Sequence, residues 1–171
     1  MSDFTFYDGS IALIERALHS LLAILNKAAQ HPDAASFPGA RLADDMKPLT
    51  FQVHTVCDLA RKTVFRLTGA PVQPLEDKEQ TMAELIAKTE SALALVKTVD
   101  PKQIQEAAGR QVELGLGAKG SVNLSGKGYV LGFALPNVFF HLQTAYAILR
   151  MKGVPLGKAD YLESFMQPVL P

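Results

Sequence analysis

The chain has 171 residues, 48% of them apolar, with 17 basic side chains against 17 acidic ones and a formal net charge of zero. That length and composition suit one domain with a real hydrophobic core. The charge balance argues against a nucleic-acid partner, which would call for a basic excess to neutralise phosphates, and no basic run suggests a membrane surface.

A single cysteine, Cys57, rules out an intrachain disulfide and suits a reducing compartment. The opening residues MSDFTFYDGS do not have the pattern of a signal peptide. No apolar run approaches the roughly 18 residues needed to span a bilayer. The expectation is a soluble cytoplasmic protein in which residues 1–171 form one domain, with no membrane contact.

Residues 10–30 predict the first helix. Ile11, Ile14, Leu18, Leu21, Leu22 and Leu25 recur at three- and four-residue steps, Ser10 is the candidate cap, and His31-Pro32 stops the helix. Residues 32–47 form a linker, long enough to suggest a loop lying over a site or an interface. A second helix is expected over 48–68, with Asp44 or Asp45 as cap and Pro48 in the first turn. Its inward stripe is Val53, Cys57, Ala60, Val64 and Leu67, and Gly69 provides the left-handed stop.

After a proline-containing loop over 70–77, Thr81-x-x-Glu84 reads as a capping box for a third helix to about Thr98, with a start one turn earlier at Asp77 as the alternative. Asp100-Pro101 opens a short helix to about Ala107. From Gln111 the period changes from 3.6 to 2. Val112, Leu114 and Leu116, then Val122 and Leu124 across a glycine-containing turn, predict a small β-hairpin. Ser125 caps a helix beginning near Tyr129, which Pro136 kinks or divides. The last helix, Leu135–Gly153, carries Asn137, His141, Ala145 and Ile148 on one stripe, and 154–171 reads as a tail with three prolines. The fold class is therefore all-α: a four-helix bundle with a small β-hairpin before the last helix.

Gly115-Leu-Gly117-Ala-Lys-Gly120 spells GxGxxG, but a strand follows it where a dinucleotide site needs a helix, so it reads as a hairpin turn. Cys57, on an apolar stripe, reads as a small buried side chain rather than a nucleophile. The histidines are His19, His31, His54 and His141. His54 borders the core side of the second helix, and His141 projects inward one turn after Asn137. A buried imidazole needs partners for its nitrogens, and Gln52, Thr144 or a tyrosine hydroxyl would serve His141. Alternatively, His54 and His141 from two helices, with Asn137, hold a divalent metal in the bundle. Asp58, one turn after His54, either orients that imidazole or pairs with Lys62.

The segments ARLADDMKPLTFQV and CDLAR, and above all FALPNVFFHLQTAYAILRMKGVPLGKADYL, resemble the DUF1993 family, which is grouped with the DinB/YfiT-like helical bundles. The resemblance runs from about Tyr7 to Leu162. It implies an up-down-down-up four-helix bundle, often dimeric. In metal-binding relatives one histidine comes from helix 2 and two from a His-x-x-x-His pair on helix 4. By spacing from Gly153, His141 falls on the second of that pair and Asn137 on the first, with His54 near the place on helix 2.

Two functional readings follow. In the first the protein is a non-catalytic homodimer or small-ligand-binding module, with Gln52, Asp58, Asn137, Thr144 and Tyr146 as pocket candidates beside His141. The apolar Val138-Phe139-Phe140 run adds to the expectation of a dimer. In the second it is a metal-dependent enzyme of hydrolase or thiol-transferase type, with zinc or nickel on His54 and His141.

Overall fold

A computed structural model of the chain describes residues 4–72 and 76–167. Four long helices dominate it: α1 (Ile11–Ala29), α2 (Leu49–Thr68), α3 (Met82–Lys97) and α6 (Leu135–Met151). Between the last two lie a short helix α4 (Pro101–Glu106), the strands β1 (Gln111–Gly115) and β2 (Ser121–Ser125), and one helical turn α5 (Gly126–Tyr129). A final helix, α7 (Lys158–Met166), closes the described chain. No helix among the described residues is long and apolar enough to cross a membrane.

α1 is the hub. Ile11, Ile14, Ala17, Leu18, Leu21, Ile24, Leu25 and Ala28 are all fully buried, and α2, α3, α6 and α7 all pack on this helix. α2 in turn packs against α3 and α6. Its stripe of Val53, Cys57, Ala60, Val64 and Leu67 is buried as the spacing predicts. Burying each large aliphatic side chain is worth about 1.5–3 kcal/mol, so these stripes carry most of the driving force.

The helix starts are solved in different ways. Thr81 and Glu84 form the capping box expected for α3, and the Asp100 carboxylate accepts from Lys102 N–H at 3.0 Å at the start of α4. Ser10 does not cap α1, because its hydroxyl donates backwards to the Phe6 carbonyl at 2.5 Å. Neither Asp44 nor Asp45 caps α2, where Pro48 stands at the boundary with no side-chain cap. The linker backbone does that work. Leu49 N–H donates to the Ala40 carbonyl at 2.9 Å and Thr50 N–H to the Pro38 carbonyl at 3.1 Å. Fully buried Phe37 anchors the loop that supplies these carbonyls.

The hairpin pairs Val112 with Leu124 and Leu114 with Val122. Val112 and Leu114 face inward, while Val122 is exposed. The GxGxxG run forms the turn, with Gly117 and Gly120 at positive φ. After Ser125, whose hydroxyl accepts from Gly128 N–H at 3.0 Å, the chain is helical to Met151 through a π turn at Val130–Ala134. Pro136 therefore neither ends nor divides the helix. A widened turn immediately upstream is a recognised way of absorbing a proline within a helix.

Residues beyond 154 are not simply a tail. Tyr161 and Phe165 of α7 pack on the core, and α7 is tied to α1 by three polar contacts. Lys27 Nζ meets Asp160 at 2.8 Å, Ser20 Oγ donates to the Tyr161 carbonyl at 2.9 Å, and Ser164 Oγ donates to the Arg16 carbonyl at 3.0 Å. The last part of that segment, 168–171, lies outside the described residues, as do residues 73–75 of the loop expected over 70–77.

Gly126 marks the tightest backbone approach. Its N–H donates to the Arg110 carbonyl at 2.7 Å, and a Cβ there would stand 2.3 Å from the Ala107 carbonyl oxygen. Gly126→Ala is expected to destabilise the protein by about 1–3 kcal/mol, as overpacking does. Gly132→Ala, where a Cβ meets nothing within 4 Å, should leave stability unchanged or slightly raised. Urea midpoints of the two variants check the contrast.

Candidate functional site

Two residues apart on a helix means about 200° apart around its axis. Gln52 and His54 therefore leave α2 on nearly opposite faces, and this divides the sequence-predicted site residues into two groups.

The first group gathers around His141 on α6. Its Nδ1 lies 2.7 Å from Gln52 Oε1, while Gln52 Nε2 donates to the Lys47 carbonyl at 2.9 Å. With the amide oriented by Lys47, Gln52 presents an acceptor to the ring. The neutral imidazole thus carries its proton on Nδ1. Two aromatic rings flank it edge-on: Phe51 at 5.9 Å and Phe140 at 5.2 Å between centroids. Both are open to solvent, Phe51 at 41% and Phe140 at 60% exposure, and Lys47 Nζ lies 5.9 Å from the Phe51 ring centroid. Burial alone holds the His141 pKa below its ordinary value of 6.5.

The other pocket candidates do not converge on His141. The Asn137 amide donates to the Phe133 carbonyl at 2.7 Å, and the Thr144 hydroxyl to the Phe140 carbonyl at 2.7 Å, each one turn back on its own helix. Asp58 pairs with Lys62 at 2.5 Å. Tyr146 packs edge-on to Tyr161 in a shallow groove of about 290 Å³ also lined by Gln143 and Lys158. A larger groove of about 450 Å³ lies elsewhere, lined by residues that include Phe4, Leu13, Leu131 and Leu135.

The second group gathers around His54. Asp77 and Glu79, from the segment leading into α3, and Lys88, from α3 itself, meet the imidazole there. His54 Nδ1 is 3.8 Å from Asp77 Oδ1, and Nε2 is 3.0 Å from Glu79 Oε2. Lys88 Nζ lies 3.0 Å from Asp77 and 2.9 Å from Glu79. His54 is only 7% exposed, and its Nε2 has no properly aligned hydrogen-bond partner. The short approach to Glu79 is thus a contact lying off the ring N–H axis. Among the described residues, the imidazole and the two carboxylates have donor atoms within 4.8 Å of one another, a set with the chemistry to hold a divalent cation.

The charges here are settled by their neighbours. Burial lowers the His54 pKa and prevails over the opposing pull of Asp77 and Glu79, so the ring is neutral. Burial would lower the Lys88 pKa too, but its hydrogen bonds to Glu79 and Asp77 outweigh this and raise it. Burial acts to raise the Glu79 pKa, and the hydrogen bond and charge of Lys88, with a backbone hydrogen bond, together more than reverse that. Lys88 is thus an ammonium and Glu79 a carboxylate. Cys57, one turn from His54, has its thiol pushed up to about 12 by burial and lies 3.8 Å from Thr89 Oγ1. A thiol so far from ionising is no nucleophile.

His54 and His141 are therefore served by different partners on different faces of α2. The grouping of three donors omits His141, and Asn137 spends its amide on its own helix. Sequence reading missed Asp77, Glu79 and Lys88 as a group. The available signal was a D-x-E pair one loop before a lysine on an inward helix face.

The His141 result carries a pH dependence. A ring held below 6.5 favours the folded state fully above that pH, and the advantage is lost as pH falls through the folded-state value. The melting temperature should drop between about pH 7 and about pH 5, less steeply in His141→Gln than in wild type. Scanning calorimetry across that range reads the difference.

Comparison with known proteins agrees with this fold. No curated protein matches the chain. Among solved structures it is similar to a DinB family member protein from Shewanella denitrificans, at 34% identity over 91% of this chain and 90% of that one, with a TM-score of 0.81. A family model described as a domain of unknown function, DUF1993, matches residues 6–162. With the four long helices, the hairpin and the LPNVFFH segment all inside that span, the chain belongs to the DUF1993 family and has a DinB-like fold.

Proposed function

We propose that the protein is a non-catalytic helical module that works as a homodimer, with the aromatic face of α2 and α6 as its contact surface. The observation that carries this is the arrangement around His141. The imidazole is fixed by Gln52 at 2.7 Å and stands between two exposed phenyl rings. Large exposed aromatic side chains gathered at one place on a soluble fold mark an interaction surface. The flanking segment 41–48 carries both signs of charge, with Arg41 and Lys47 beside Asp44 and Asp45, so two copies can meet there without like-charge repulsion. The four long helices are read as an up-down-down-up bundle, in keeping with the DinB-like relative. A cytoplasmic location belongs to the same reading.

The metal-dependent hydrolase or thiol-transferase reading needs His54, Asn137 and His141 around one ion, zinc or nickel. These residues do not fit such an ion: each is engaged separately, and Gln52 and Asn137 would both have to give up their present partners. No step is therefore assigned to a metal on these side chains.

Light scattering on the purified, untagged protein at micromolar concentration tests the proposal. A dimer is expected, and Phe51→Ser/Phe140→Ser should convert it to a monomer with its helical circular dichroism retained. A wild-type monomer, or a double variant that remains dimeric, overturns the reading.

A further inference from the structure

We infer that the Lys88 ammonium is a built-in cation, occupying the place among His54, Asp77 and Glu79 that a divalent metal would take, so that these three side chains bind such an ion only once Lys88 is removed. This inference is independent of the dimer reading.

The donor chemistry comes first. One imidazole and two carboxylates form a set that takes zinc or a similar divalent ion. Donors around a single ion at about 2.1 Å stand at most about 4.2 Å apart, and these lie within 4.8 Å of one another. A small contraction would complete the site. The buried His54 Nε2, which has no aligned partner, is 3.0 Å from Glu79 Oε2. In the tautomer with its proton on Nδ1, that nitrogen is the donor an ion would use.

The charge comes second. The two carboxylates call for positive charge, and Lys88 supplies it from a side chain only 8% exposed, with Nζ within 3.0 Å of both. A metal ion bridging the same oxygens would stand next to that largely buried ammonium, and two cations so close repel. Lys88 and the ion therefore exclude each other. The lysine is part of the chain and always present, so it wins by default, and the segment leading into α3 stays tied to α2 whatever the metal supply.

Zinc alone is the probe, with untagged protein, and both calorimetric titration and thermal melts as readouts. Wild type should show the same melting temperature in chelator and in stoichiometric zinc. Lys88→Met should melt below wild type in chelator, recover on adding one equivalent of zinc, and bind zinc roughly tenfold or more tightly than wild type does. The gain should vanish in Lys88→Met/Glu79→Gln. Lys88→Gln is one atom shorter but removes the charge while keeping a hydrogen-bonding amide, so it repeats the test if the methionine variant folds poorly. Wild-type protein that binds one equivalent of zinc in a Glu79-dependent way overturns the exclusion. Folded Lys88→Met or Lys88→Gln with no Glu79-dependent zinc binding overturns the latent site. If neither variant folds even when zinc is supplied, the idea that a divalent ion can replace the ammonium is likewise overturned.

Discussion

Everything in this fold leans on the complete burial of one apolar face of α1. α1 keeps eight apolar side chains wholly out of water, and it can do so only if neighbours cover it on several sides. Three long helices and α7 provide that cover. The demand explains why the chain returns after α6 to lay down a further helix. Ser20 and Ser164, small polar residues on α1 and α7, let the two helices come close enough for each hydroxyl to reach a backbone carbonyl on the other.

The same economy governs the polar groups. Among the described residues, most buried or half-buried polar side chains are matched within their own helix, as Thr63, Thr89 and Thr144 are, or set against defined partners, as Gln52 is. The exception is the knot of His54, Asp77, Glu79 and Lys88. Its three charges do not cancel, and one ring nitrogen is left over. Removing one member of a buried pair generally costs more than the pair gains over an apolar replacement. Such a knot therefore fixes geometry more than it adds stability, and what it fixes is the path of the chain between α2 and α3.

The helices were legible because a period of 3.6 in Ile and Leu survives any context, and the hairpin because the period changes sharply at Gln111. The α3 and α4 starts were legible for a local reason: Thr81-x-x-Glu84 and Asp100-Pro101 satisfy their own helix ends. The start of α2 was not, since its donors are met by carbonyls nine and twelve residues upstream in a loop, a distance no short motif encodes. α7 was obscured by the prolines around it, although Tyr161 and Phe165 sit one turn apart. The candidate site divided in the same way. The Gln52–His141 bond was one of several partners the spacing allowed. Asp77 and Glu79 come from a connector whose path depends on tertiary contacts, so their meeting with His54 and Lys88 could not be read from spacing alone. Two residues of phase on α2 decided the rest, because Gln52, which holds His141, and His54 leave the helix on opposite faces.

The loop that ends α2's first turn has a consequence for how this sequence can change. Long surface loops ordinarily tolerate insertions, since extra residues add little to the entropy of closing them. Here the stretch between Pro38 and Ala40 is in effect the missing first turn of α2, built from another part of the chain. Lengthening or shortening the segment from there to Pro48 would unseat those carbonyls and let the helix fray toward Phe51 and Gln52. Its length is held by hydrogen-bond register rather than by space, so in this protein the least regular segment should be among the least free to vary in length.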